Sequence, residues 1–182
     1  MIRSTMVWVC LLLGTVMVAA AESPELAEAA RAGDLARVEA LLEAGVDAGA
    51  TNGGETPALA LAAVRGHEAV VRLLLDRGAE LGACAGRERL TALMCAAANG
   101  HAGVVRLLLE RGAAVDAGNR HGYTALMLAA GYGRLETAGI LLTAGASVAA
   151  ATETGWTALM SAAGSGHTDV VERLIAAGAD VN

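Results

Sequence analysis

Leu93-Met94-Cys95-Ala96-Ala97-Ala98-Asn99-Gly100 is one copy of a phrase that this chain writes five times. The other copies begin at Leu26, Leu59, Leu126 and Leu159 and end at Gly33, Gly66, Gly133 and Gly166. The leading leucines are spaced 33, 34, 33 and 33 residues apart. A fixed period of this size means supersecondary units stacked side by side, because one such unit cannot bury its own apolar face. Arrays of this kind present a surface and seldom hold an active site.

Within each unit, Leu and Ala recur at i, i+3, i+4 spacing, which predicts a short helix. The closing Gly tolerates the left-handed conformation of a helix stop. A second helix follows, as over 68–77, with Val and Leu inward and charges toward water. Gly45, Gly78, Gly112, Gly145 and Gly178 end it, and an extended stretch of turn residues leads to the next unit. Thr91, Thr124 and Thr157 stand where a hydroxyl caps the first helix. The first two units carry Ser23-Pro24 and Thr56-Pro57 instead, which moves the cap one residue earlier and gives Pro the first helical position. Paired alanines let the two helices of a unit approach closely.

These residues resemble the ankyrin repeat, whose signature runs Thr-Pro-Leu-His-x-Ala-Ala with Gly-His shortly after. Gly66-His67, Gly100-His101 and Gly166-His167 fit it, as do Gly78-Ala79-Glu80-Leu81 and Gly178-Ala179-Asp180-Val181-Asn182. The resemblance covers residues 23–182. It implies an all-α solenoid of stacked helix-turn-helix units with β-hairpin loops, the units falling near 23–51, 52–84, 85–118, 119–151 and 152–182. One column departs from the signature: Ala27, Ala60, Met94, Met127 and Met160 replace the His after the Leu. In the family that His ties neighbouring hairpins together, so the departure bears on hairpin rigidity and not on the fold.

Residues 1–21 stand outside the array. Arg3 is followed by an uncharged, largely apolar run from Met6 to Ala21, and Ala19-Ala20-Ala21 offers small residues for cleavage before Glu22. This reads as a secretory signal peptide. The alternative is a retained anchor, for which the run is short. Cys10 follows Val9, where a lipidation site would carry a small residue. The expectation is an exported protein, periplasmic or secreted, with cleavage near Ala21/Glu22, no membrane contact afterwards, and one domain over 22–182. An Ala- and Gly-rich composition with Arg as the sole basic residue resembles that of a GC-rich bacterial genome.

The whole chain carries a net charge of −6. Cleavage removes only Arg3, leaving 12 Arg against 19 acids, or −7. Phosphate contacts need clustered positive charge, so nucleic acid is not expected as a partner. Cys84 and Cys95 remain, and an exported location leaves both a disulfide and two free thiols open. Glu25, Glu28, Arg31, Asp34, Arg37, Glu39 and Glu43 make the first unit a polar cap. The last unit has Asp169, Glu172 and Arg173, with no following unit in the sequence to cover its far side. Fraying or a partner contact is expected there.

Equivalent residues of stacked units form columns. Met94, Met127 and Met160 could suggest soft-metal binding, but units about 10 Å apart cannot share ligands. Filling the space left by the missing His is the simpler role. His67, His101 and His167, with Arg134 in the fourth place, each follow the turn Gly and read as structural. Thr91, Thr124 and Thr157 are caps, Cys95 lies near a packed face, and Ser161 and Ser165 have only His167 as a base in their unit. No phosphate-cradling loop and no zinc-type spacing of Cys or His occurs. Neither an enzyme nor any cofactor or metal is expected.

The rings carry the sharpest signal. The chain has no Phe, and beyond residue 21 only Tyr123, Tyr132 and Trp156 are aromatic. None is expected in a core column. Tyr123 and Trp156 immediately precede a capping Thr, and Tyr132 precedes the turn Gly133. In the ankyrin family such positions vary and line the concave face, so the resemblance implies that all three point toward one groove. Bracing of neighbouring hairpins is the alternative. Exposed Tyr and Trp anchor interfaces because they bury much area at little entropic cost. The same positions supply Arg87, Leu90, Asn99, Arg120, His121, Glu153 and Thr154. The 34-residue spacing lengthens the finger at 86–90. Gly131, Gly133 and Gly139 loosen unit four, a helical Gly costing roughly 1 kcal/mol relative to Ala. The expected function is binding of a protein partner through the concave hairpin and inner-helix face, by a monomer. The alternative is a periplasmic accessory or chaperone-like factor that protects or assembles an enzyme.

Overall fold

The protein is described by a computed structural model over residues 22–181; the signal-peptide reading of residues 1–21 lies outside the described residues. Ten helices follow one another in five pairs: α1 (Pro24–Ala32) with α2 (Leu35–Glu43), α3 (Ala58–Arg65) with α4 (Glu68–Asp76), α5 (Ala92–Asn99) with α6 (Ala102–Glu110), α7 (Ala125–Gly131) with α8 (Leu135–Thr143), and α9 (Ala158–Gly164) with α10 (Thr168–Ala176). Between α4 and α5, β1 (Cys84–Ala85) pairs antiparallel with β2 (Leu90–Thr91), opening the 86–90 finger.

The hydroxyl caps form as the sequence predicts. Thr91, Thr124 and Thr157 accept the backbone N–H of Met94, Met127 and Met160 at 3.3, 3.4 and 3.3 Å, and Ser23 accepts that of Leu26 at 3.3 Å. Thr56 is a correction. The α3 helix starts after Pro57, and no side chain caps it. Thr56 is held in the preceding loop instead, where its N–H donates to Asn52 Oδ1 at 3.2 Å and its carbonyl accepts from Asn52 N. Pro57 stands where Thr91, Thr124 and Thr157 stand in the later units, so Thr56 lies one residue too early to cap α3.

The turn inside each of the first four pairs is clasped by the next pair. Gly66 ends α3 with a φ of 76°, and the ring of His101 lies against it. His101 donates from Nε2 to the carbonyl oxygen of Val64 at 2.9 Å. His67 does the same to Arg31 O and His167 to Gly131 O, both at 3.2 Å. Arg134 fills the same place with its Nε, 3.0 Å from Ala98 O. Each bond satisfies a carbonyl at a helix C-terminus that has no partner within its own helix.

The core runs the length of the array. First helices bury Leu26, Leu59, Leu93 and Leu126 with their neighbouring alanines, and second helices bury Val38, Val70, Val104, Leu74, Leu108, Leu141 and Leu174. A fully buried side chain of this size contributes about 1.5–3 kcal/mol. Alanine backbones let α1, α3, α5, α7 and α9 stack more closely than the second helices do. The first-helix side is therefore the inside of the curve. Met94 and Met127 are buried as expected, but Met160 is 46% exposed. The column reads as core only where a following pair covers it, and among the described residues nothing covers the face of α9 that points away from α7.

Candidate partner-binding surface

The site is built from the loop between α8 and α9 and from the C-terminal ends of α7 and α9. Thr152 sets that loop: its Oγ1 accepts from Trp156 N at 3.0 Å, and its own N–H donates to Trp156 O at 3.0 Å. Asn119 holds the preceding loop in the same way, accepting from His121 N at 2.9 Å and from Tyr123 N at 3.0 Å. The two loops thus carry Tyr123 and Trp156 at fixed heights. The indole is also fixed sideways. Trp156 Nε1 donates to Ser161 Oγ at 2.9 Å, and that hydroxyl donates to Thr157 O at 3.0 Å.

Tyr123, Tyr132 and Trp156 line one hollow of about 430 Å³, with Met127, Leu128, Gly131, Ser161, Gly164 and Ser165. Two glycines shape it. Gly131 and Gly164 occupy the same frame position in consecutive units, where the earlier units carry Arg31, Val64 and Ala98. A methyl on Gly164 would lie 3.8 Å from Trp156 Cζ2, and one on Gly131 would lie 3.6 Å from Ser161 Cβ. Their lack of side chains keeps the hollow open. Its lining is mainly rings and aliphatic groups, with Ser161 and Ser165 beside them, and the indole N–H is consumed internally, so it suits an apolar side chain better than a polar one.

The remaining predicted positions separate into three groups. His121 and Glu153 line a neighbouring hollow of about 330 Å³ that shares Tyr123. Arg87 and Arg120 sit on fingertips: Arg120 N donates to Glu88 O at 3.2 Å and Arg120 Nη1 to Arg87 O at 3.4 Å, while His121 Nε2 lies 2.9 Å from Glu88 Oε2. These contacts tie two adjacent fingers together. Leu90 and Asn99 join neither hollow. Leu90 is half-buried in β2 against the core, and Asn99 turns back to donate to Cys95 O at 2.8 Å. Tyr123 is a partial correction, because it is half-buried and packs against the core with one side. Tyr132, at 59% exposed, is the freest of the three rings.

Sequence reasoning took Gly131 only as a loosening of unit four and did not single out Gly164, although a comparison of equivalent positions would have placed both at the site. Cys84 and Cys95 are free thiols. Burial pushes the Cys95 thiol up to about 11, which makes it unreactive at neutral pH. No group of three or more His, Cys, Asp and Glu able to hold a metal ion occurs among the described residues.

A family model described as ankyrin repeats, in three copies, matches residues 26–119, 78–152 and 113–182. No curated protein matches the chain.

Proposed function

Because the chain belongs to the ankyrin-repeat family, whose members are generally protein–protein interaction modules, we propose that it is an exported, monomeric binder of a protein partner. Five helix pairs count as five repeats in this reading. The partner docks on the concave side formed by the loops and the first helices. Tyr123, Tyr132 and Trp156 supply the anchor, and Arg87, Arg120, His121 and Glu153 supply the fingertip contacts.

One observation carries the proposal. A chain with three rings beyond residue 21 gathers all three on one hollow, although they come from two loops and a helix end. A core that needed aromatic volume would have taken them inside; this core is built from Leu, Val, Ala and Met. Surface clusters of Tyr and Trp in a partly enclosed, apolar setting are the usual hot spots of interfaces.

The experiment is capture from the exported fraction with the wild-type protein and with a Trp156→Ala, Tyr123→Ala, Tyr132→Ala triple variant whose helicity has been checked by circular dichroism. A protein retained by the wild type and lost from the variant supports the site. Equal recovery by both refutes it. N-terminal sequencing of the exported protein tests the location and should begin at or near Glu22; an intact Met1 argues for a retained anchor.

A further inference from the structure

A second, wider hollow lies on the opposite side, over the second helices. It measures about 860 Å³ and is lined by α6, α8 and α10. Its origin is one column. The fifth residue of the second helix is Glu39, Arg72, Arg106 and Glu172 in four units, a long charged side chain each time; in α8 it is Gly139. The ninth residue is Glu43, Asp76 and Glu110 in the first three units, and Thr143 in α8. The one charge of α8, Glu136, is taken by Arg106 across the gap at 2.7 Å. What remains is a floor of Leu135, Gly139, Ile140 and Thr143, with Leu135 40% exposed.

A mid-helix Gly costs roughly 1 kcal/mol relative to Ala, and here it also strips an outer helix of the charge that keeps its siblings solvated. Space does not demand it. A methyl at Gly139 would meet only the guanidinium of Arg173, at 3.7 Å. The result is a trough along α8 walled by α6 and α10. Its floor, from Leu135 to Ala144, is about 15 Å long at 1.5 Å per residue, room for nearly three turns of a second helix. The walls give the sign of the occupant. Glu110, Asp169 and Glu172 line them without an ion-pair partner among the described residues, against Arg173 alone, since Arg106 is occupied by Glu136. The chain as a whole is acidic as well.

We propose that this trough docks an amphipathic helix of a partner protein, its apolar strip on Leu135, Gly139 and Ile140 and its flanks basic. This is helix-in-groove recognition on the face not used by the ring hollow. It stands or falls separately from the reading above.

The test uses two designed 14-residue helical peptides with the same leucine strip, one flanked by Arg and one by Glu. Each is titrated into the mature chain and followed by amide chemical shifts and calorimetry. The Arg-flanked peptide should bind and perturb amides of α6, α8 and α10. Gly139→Arg, which restores the residue type of the other units, should weaken it about tenfold or more while the thermal midpoint holds or rises. Glu110→Gln with Glu172→Gln should weaken it by a few-fold without moving that midpoint. Four results overturn the proposal: no binding, equal or tighter binding of the Glu-flanked peptide, perturbations centred on the ring hollow, or unchanged affinity in Gly139→Arg.

Discussion

His101 and Gly66 belong to different units, yet the imidazole lies so close that a methyl on the glycine would fall 2.6 Å from His101 Nδ1. The glycine is needed twice, for its φ of 76° and for the ring it admits. Gly166 has a φ of 77° but no atom within 4 Å of where a methyl would stand. Gly166→Ala should therefore cost only the backbone strain, about 1 kcal/mol. Gly66→Ala should cost that and the displaced clasp, about 3 kcal/mol in all. Urea denaturation of both variants checks this, and equal losses would refute the clasp.

Met127 and Met160 share a column but not an environment. Met127→Gln buries an amide with no partner and should cost about 2–3 kcal/mol. Met160→Gln should stay within about 0.5 kcal/mol, as exposed substitutions do. Thermal unfolding of the pair distinguishes a core position from a column position that lacks its cover.

The two thiols should differ sharply. Cys84 is half-buried, with its Sγ directed to Gly82 O, and should react with a thiol reagent in the folded state. Cys95 should react only on unfolding. Its proton release shifts from 9.0 to about 11 on folding. The unfolded chain sheds this proton first, so stability is intact below pH 9 and falls as pH rises toward 11, by about 2–3 kcal/mol. Cys95→Ala should lack that part of the alkaline slope, which denaturation at pH 8 and pH 10.5 measures.

Ser161→Ala should release the indole of Trp156. The hydrogen bond is partly buried, so the loss in stability should be about 1 kcal/mol. Trp156 is the one tryptophan beyond residue 21, and its acrylamide quenching in a chain starting at Glu22 should rise. Unchanged quenching would mean that the loop, not Ser161, holds the ring.

The fold was legible because its determinants are local and periodic. Thr91, Thr124 and Thr157 cap three residues ahead, and Gly-His pairs mark three of the five turns; both rules need only a window of sequence. What lay beyond the sequence reading depends on neighbours. Thr56 looks like a cap until α3 is seen to start after Pro57. Met160 looks like core until α9 is seen uncovered. Gly131 and Gly139 read as lost helix propensity and Gly164 drew no reading, because a missing side chain has no signal of its own. Their meaning came from comparing equivalent positions: Arg31, Val64 and Ala98 above the two hollow-forming glycines, and Glu39, Arg72 and Arg106 above Gly139. The convergence of the rings was what the family resemblance implied, whereas the half-burial of Tyr123 comes from its packing against the core.

The clasps all reach in one direction. His67, His101, Arg134 and His167 each bind a carbonyl of the unit before, so the array has a grammatical order, every unit completing its predecessor. Truncation then changes different groups at the two ends. Deleting α9 and α10 frees the carbonyl of Gly131 and bares the face of α7 that holds Met127, whereas deleting α1 and α2 frees the His67 donor and bares the alanine face of α3. A shortened version of this protein therefore needs a polar replacement for whichever face it uncovers.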